Sequence, residues 1–227
     1  MVRDGALPRL VILISGSGSN LQVFIDAVRN GSLHADLRAV ISNRPDAQGL
    51  TRAQRAGITT HTLDHRDFAS REAFDSALAQ QVDEHQPDLV ILAGFMRILT
   101  STFVARFQGR LLNIHPSLLP SYPGLHTHQR ALDAGDRFAG ATVHFVTEEL
   151  DGGPSVLQAR VPIQAGDDAV SLAARVLEQE HRIYPLAARW FCEGRLRLDN
   201  GKAVLDDQVL PPTGCTLDDL PPNAADI

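Results

Sequence analysis

The chain contains a single lysine, Lys202, against 20 arginines. A Schiff base on a core lysine, pyridoxal-type catalysis and a Walker-type phosphate lysine are therefore excluded unless Lys202 serves. The arginine bias itself reads as genome composition rather than function. Cysteine is as scarce: Cys192 and Cys215 are too few and too isolated for a disulfide framework or a Cys-rich zinc site, and they read as incidental thiols in a reducing cytosol. Long hydrophobic runs are missing too. The longest, residues 89–96, falls far short of the roughly 20 residues that a membrane helix needs. The N-terminus offers only residues 10–14 as an apolar core, behind Asp4 and without a small-residue cleavage pattern, so no signal peptide is expected. These absences predict a cytoplasmic protein with no membrane partner. Positive charge is not in excess either: the net charge is −6, and residues 199–227 hold six aspartates against Lys202, which leaves no basic field for nucleic acid.

With 227 residues, 44% hydrophobic and 21% charged, the chain is long enough to bury a core and too ordinary in composition to be disordered or fibrous. Over the first 115 residues, short β-branched apolar runs alternate with amphipathic stretches. Residues 10–14, 37–42, 59–63, 89–93 and 111–115 read as strands, each bounded by Gly, Pro, Asn or Asp. Residues 20–30, 49–55, 70–84 and 101–107 read as helices. In the third of these Phe74, Leu78 and Val82 recur every four residues, Ser70 is placed to cap, and Pro87 closes the segment. The alternation predicts an α/β fold, a single domain with a mostly parallel twisted sheet and helices on both faces.

Past Pro116 the texture changes. Residues 117–128 carry Pro120, Pro123 and Gly124 and read as a mobile loop. A short helix over 128–134, a strand over 142–146, an acidic Gly-rich loop over 148–153 and a strand over 155–161 follow. A long helix over 168–192 is expected from Leu172, Val176, Ile183, Leu186 and Trp190, with Pro185 kinking or dividing it. The tail from Pro211, rich in Pro and Asp, is expected to fray.

Three constellations carry chemistry. Ser15-Gly16-Ser17-Gly18-Ser19-Asn20 lies between the first strand and the first helix, where consecutive backbone N–H groups make an anion site. It is not the dinucleotide fingerprint: Leu21 stands at the third glycine, and the second strand ends in Ser42-Asn43-Arg44 rather than an acid. A phosphate monoester fits better, although the same turn also occurs without a ligand. In Asn113-Ile114-His115-Pro116, strand alternation puts Asn113 and His115 on one face at the carboxyl end of the sheet. An amide donor beside an imidazole suits acyl transfer, one group holding an oxyanion and the other moving protons. A strand-end cap is the plainer reading. Asp151, in Glu148-Glu149-Leu150-Asp151-Gly152-Gly153, would stabilise a His115 imidazolium if the two met; by itself Asp-Gly-Gly is a turn. His126-Thr127-His128 has no ligand spacing for a metal, and no Gly-x-Ser-x-Gly supports a covalent hydrolase.

Taken in order, Ile14 to Asn20, Leu92-Ala93-Gly94-Phe95-Met96-Arg97-Ile98-Leu99, Asn113-Ile114-His115-Pro116-Ser117-Leu118-Leu119-Pro120, Tyr122-Pro123-Gly124 and Leu150-Asp151-Gly152-Gly153-Pro154 resemble the glycinamide ribonucleotide formyltransferases of purine biosynthesis. The likeness runs over residues 10–200. It implies a Rossmann-like formyltransferase domain over residues 1–200, with a nucleotide-binding half at 9–115 and a folate-binding half at 116–200 that includes an antiparallel element. Residues 201–227 are then a tail. It also implies transfer of a formyl group from the cosubstrate 10-formyltetrahydrofolate to the amine of phosphoribosylglycinamide. By motif, Gly18, Ser19 and Asn20 would cradle the ribonucleotide phosphate, and Leu177, Glu178, Gln179 and Glu180 would lie against the ribonucleotide. Arg71, Met96, Arg97, Ile98, Leu99, Asn113, Thr147, Glu148, Glu149, Leu150 and Asp151 would line the folate site, and Asn113, His115 and Asp151 would be catalytic. Ser17 stands where some members carry Asn, which matters little where backbone contacts dominate. The implied partners are small molecules, with no metal and no nucleic acid; monomer and homodimer are both compatible.

On this resemblance the amine attacks the formyl carbon, Asn113 and His115 hold the oxyanion, Asp151 keeps His115 charged and oriented, and His115 protonates the departing folate nitrogen, directly or through water. His115→Ala would nearly abolish turnover, and Asp151→Asn would mainly alter its pH dependence. A formyltetrahydrofolate hydrolase would use the same three residues, but its relatives carry an extra N-terminal domain, whereas the first strand here begins at residue 10. Methionyl-tRNA formyltransferases add a C-terminal domain and a basic surface. A non-catalytic nucleotide-binding module would be free to lose His115 or Asp151. Because Lys202 lies outside every motif, backbone N–H groups around Gly18 are expected to hold the phosphate.

Overall fold

Strand β1 (Arg9–Ile14) is buried from Leu10 onward, the pattern of a parallel strand covered on both faces. A computed structural model describes residues 6–220 of the chain, which form two compact units that divide after Leu112. In the first unit β1 is followed by α1 (Ser19–Asn30), β2 (Asp36–Ser42), α2 (Gln48–Arg55), β3 (Thr59–Thr62), α3 (Arg71–Glu84), β4 (Leu89–Leu92) and α4 (Ser101–Arg106). The strands run parallel in the order β4-β1-β2-β3, so the carboxyl ends of β1, β2 and β4 share one rim.

Local chemistry sets these elements. The Ser70 hydroxyl accepts the Ala73 N–H at 3.1 Å and starts α3, whose Phe74, Leu78 and Val82 are fully buried; such a cap stabilises by ~1 kcal/mol. Gly18, at φ +72°, precedes α1, and a Cβ there would lie 2.6 Å from the Cα of Gly49. The starts of α1 and α2 therefore approach as closely as only two glycines allow.

Strand β5 (Leu111–His115) runs from the first unit into the second. The second unit continues with α5 (Thr127–Asp133), β6 (Phe138–Phe145), β7 (Ser155–Pro162), α6 (Ala169–Cys192), β8 (Leu196–Asp199), β9 (Lys202–Leu205), β10 (Gln208–Val209) and β11 (Cys215–Thr216). Its main sheet has the order β11-β7-β6-β5, with β6 and β7 antiparallel and β11 parallel to β7. Helix α6 packs on β6 and β7, and Asp168 caps it, accepting the N–H groups of Val170 and Ser171. The expected α/β class, mostly parallel with an antiparallel element, is what forms. Among the described residues no helix is long and apolar enough to cross a membrane.

Three regions differ from the sequence reading. Pro185 does not divide α6, which is continuous over 24 residues. The proline removes one backbone hydrogen bond to His181, a loss of ~3 kcal/mol, but Ile183, Tyr184, Leu186, Ala187 and Ala188 around it are fully buried and that packing holds the helix. The segment from Pro211 does not fray within the described residues: Cys215 and Thr216 pair with Leu157 and Gln158 on the edge of β7, and Leu217 is buried. Residues 221–227 lie outside the described residues. Finally, β8, β9 and β10 form a small antiparallel sheet. Asn200 and Gly201, at φ +47° and +75°, make the primed turn that Asn-Gly favours in hairpins.

Candidate active site

The catalytic candidates converge in the second unit. Asn113 and His115 project to one side of β5, as period-two alternation requires. His115 is nearly buried, with Nδ1 3.4 Å from Asp151 Oδ2 and Nε2 2.9 Å from the Tyr122 carbonyl oxygen. A carbonyl only accepts, so Nε2 carries a proton and gives it to Tyr122. Nδ1 is left as the nitrogen that can exchange a proton beside the carboxylate.

Asp151 is held from several sides. Its Oδ2 also accepts the Gly124 N–H at 2.8 Å, and its Oδ1 lies 3.9 Å from His144 Nε2. Asp151 has φ +51°, and Tyr122 and His126 have φ +56° and +59°. Left-handed backbone at non-glycine residues is uncommon and costly; here it sits in the two segments that bring Asp151, the Gly124 N–H and the Tyr122 carbonyl to His115. Gly153 permits the turn after Asp151: a Cβ would meet the Phe145 oxygen at 1.8 Å. The loop carrying Tyr122 is tied down by Tyr122 Oη donating to Asp136 at 2.7 Å and by Arg130 donating to the Pro123 carbonyl at 2.6 Å.

His144 belongs to the same cluster, and the sequence reading missed it. It is almost fully buried in β6, where the register against β7 shifts between Val143 and His144, a bulge of the kind that re-aims side chains near active sites. Its Nδ1 donates to the Phe145 carbonyl at 2.9 Å, and its Nε2 accepts from Asn113 Nδ2 at 3.1 Å. Burial pushes the His144 imidazole to titrate below its ordinary range, partly offset by the Phe145 carbonyl and the Asp151 charge, and so keeps it neutral. A neutral His144 with its proton on Nδ1 fixes the Asn113 amide with its NH2 toward Nε2. Within its sequence run, Thr142-Val143-His144 reads only as strand, and nothing there marks a functional imidazole.

In the first unit, residues 15–18 connect β1 to α1. No side chain caps α1 and its first turn has no acid, the setting in which a helix N-terminus suits an anion. A cavity of about 300 Å³ beside the loop is lined by Gly16, Ser17, Arg44 and Gln48 among others. Arg44 is paired with Asp46 at 2.8 Å, whereas Arg52 of α2 donates Nε to the Ser17 carbonyl at 2.8 Å and Nη1 to Gln22 Oε1 at 3.3 Å. Arg52 is thus a cation beside the loop that the sequence did not single out among 20 arginines.

The remaining candidates take varied positions. Arg71 begins α3 and is exposed, while Met96 and Ile98 are exposed, Leu99 is half-buried and Arg97 stacks over the Phe74 ring at 4.8 Å. Thr147 is half-buried and Glu148, Glu149 and Leu150 are exposed in the turn that ends at Asp151. Ser19 and Asn20 open α1, Asn20 being buried. Leu177, Glu178, Gln179 and Glu180 form one turn of α6, Glu178 exposed and Glu180 buried. His128 lies near His115, and its imidazole is lowered chiefly by burial. Cys192 and Cys215 form no disulfide. Among the described residues no group of three or more His, Cys, Asp or Glu is placed to hold a metal ion.

Comparison with known proteins bears on this arrangement. The formyl transferase family model matches residues 8–188. The phosphoribosylglycinamide formyltransferase of Escherichia coli K12 is 57% identical over 210 residues, covering 92% of this chain and 99% of that protein. The Haemophilus influenzae protein of the same name is 49% identical over 208 residues, covering 92% and 98%. Among solved structures, the phosphoribosylglycinamide formyltransferase of Coxiella burnetii in complex with CHES matches with a TM-score of 0.89 at 48% identity, over 93% of this chain and 99% of that one.

Proposed function

The chain belongs to the formyl transferase family, and from that membership we propose that it transfers the formyl group of 10-formyltetrahydrofolate to the amine of phosphoribosylglycinamide in purine biosynthesis. The observation that supports the chemistry is the seat of Asp151 between His115 and His144, 3.4 Å from the Nδ1 of the first.

The residues divide the work as follows. One Asn113 N–H is engaged by His144, and the other is free to donate to the oxyanion that forms as the amine attacks the formyl carbon. His115, protonated at Nδ1, gives the second oxyanion contact, and Asp151 faces the positive ring. The new C–N bond forms, the bond to the folate nitrogen breaks, and the proton lost by the amine is replaced on the folate nitrogen through His115, directly or by water. The ribonucleotide phosphate rests on the N–H groups of Gly18, Ser19 and Asn20 with Arg52 nearby, and residues 177–180 contact the ribonucleotide. Met96, Arg97, Ile98 and Leu99 with Arg71 and residues 147–151 line the folate site. No metal has a role in these steps.

The test incubates the purified protein with 10-formyltetrahydrofolate, with and without phosphoribosylglycinamide. Loss of the formyl donor that depends on the amine supports the transferase. Formate release that ignores the amine would instead identify a hydrolase.

A further inference from the structure

Ser15, the last residue before the glycine-rich loop, is buried and ties two segments together. Its backbone N–H donates to the Gly94 carbonyl at 3.1 Å, its hydroxyl accepts the Met96 N–H at 2.8 Å, and the same hydroxyl donates to Asn43 Oδ1 at 2.5 Å. One serine thus closes both ends of the turn at Gly94, which has φ +71°, while Asn43 at the end of β2 fixes the direction of the hydroxyl proton.

The segment that Ser15 holds has few other anchors. Met96 and Ile98 are 68% and 58% exposed, so packing does little to order them. Arg97 stacks on Phe74, and at the far end Thr100 N–H donates to Asp75 Oδ2 at 2.5 Å. The front of the segment is therefore set by the Ser15 hydroxyl together with the buried Phe95 side chain. Gly16, the next residue, accepts the Gly49 N–H at 3.1 Å, so the glycine loop is likewise built directly on Ser15.

We propose that Ser15 is a positioning residue that couples the two substrates: an anion bound on the Gly18 loop orders Ser15, and its hydroxyl passes that order to the Met96 segment, so that ribonucleotide strengthens folate binding. The inference rests on the proposed reading of those two segments. Coupling of this kind needs no large movement, since a ligand that finds its segment already ordered loses less entropy on binding.

The test is calorimetric titration of tetrahydrofolate, which cannot react, with and without saturating phosphoribosylglycinamide. The unmodified protein is expected to bind tetrahydrofolate about five- to tenfold more tightly when the ribonucleotide is present. Ser15→Ala, with the ribonucleotide kept at saturation for that variant, is expected to lose that enhancement. Asp75→Ala loosens the far anchor and weakens folate binding but is expected to keep the enhancement, which separates coupling from general loosening. If Ser15→Ala fails to fold, Asn43→Ala reads the same relay, and its enhancement is expected to fall. Enhancement undiminished in Ser15→Ala or Asn43→Ala, or absent from an unmodified protein that binds both ligands, overturns the relay. Failure of the unmodified protein to bind either ligand overturns the functional reading, and the relay with it.

Discussion

The His144 imidazole accepts an amide N–H of Asn113 at 3.1 Å while giving its own Nδ1 proton to the Phe145 carbonyl. A ring held neutral by burial thus decides which way the Asn113 amide faces. If His144 took a second proton, its Nε2–H would oppose the Asn113 NH2, and the amide would turn its oxygen toward the ring.

His144→Ala is therefore expected to lower kcat by about ten- to a hundredfold with little change in KM for either substrate, less than loss of the oxyanion donor itself. Steady-state kinetics of the folded variant checks this. A large rise in KM with unchanged kcat would assign His144 to binding instead.

Asp151→Asn keeps an oxygen to accept the Gly124 N–H but removes the charge facing His115 Nδ1. We expect a folded enzyme whose altered pH dependence lowers kcat by about tenfold or more near neutral pH, measured at saturating substrates. Activity within twofold of normal would show that the carboxylate charge is not needed.

Arg52 is a half-buried cation whose Nε holds the Ser17 carbonyl. Arg52→Ala is expected to raise KM for the ribonucleotide by about three- to tenfold, leave KM for the folate unchanged, and weaken the dependence of ribonucleotide binding on salt. Titration at two ionic strengths provides the comparison.

Four histidines, His85, His128, His144 and His181, titrate below their ordinary value of 6.5, burial being the first cause in each case. Below pH 6.5 the unfolded chain binds protons that the folded chain refuses, so folding stability is full above that pH and is lost as pH falls toward the lowered values. The urea midpoint is expected to drop between pH 7.5 and 5.5, by about 0.5 M if one such group dominates. His144→Gln is expected to flatten the dependence. A midpoint that rises on acidification would contradict the assignment.

Much of this was legible in the residues. Ser70, Phe74, Leu78 and Val82 announced α3 because a cap and a four-residue apolar spacing are local signals, and the alternation in β5 put Asn113 and His115 on one face. The Asn200-Gly201 turn was equally legible in principle, since its backbone preference is local. Pro185 does not divide α6 because its local cost is outweighed by packing on β6 and β7, which only the tertiary structure supplies. The two-residue strand at Cys215 exists because β7 has a free edge, again invisible locally. His144 and Arg52 act through a ring tautomer and a carbonyl 35 positions away in sequence, and neither relationship leaves a pattern in the run of residues around it.

The central claim is that His115 carries the proton in formyl transfer to an amine. Its most direct test is the single-turnover rate of amine-dependent loss of the formyl donor by His115→Ala, with both substrates saturating and the fold confirmed by circular dichroism. A rate about a hundred- to a thousandfold below that of the unmodified protein is expected. A rate close to the unmodified one would contradict the account.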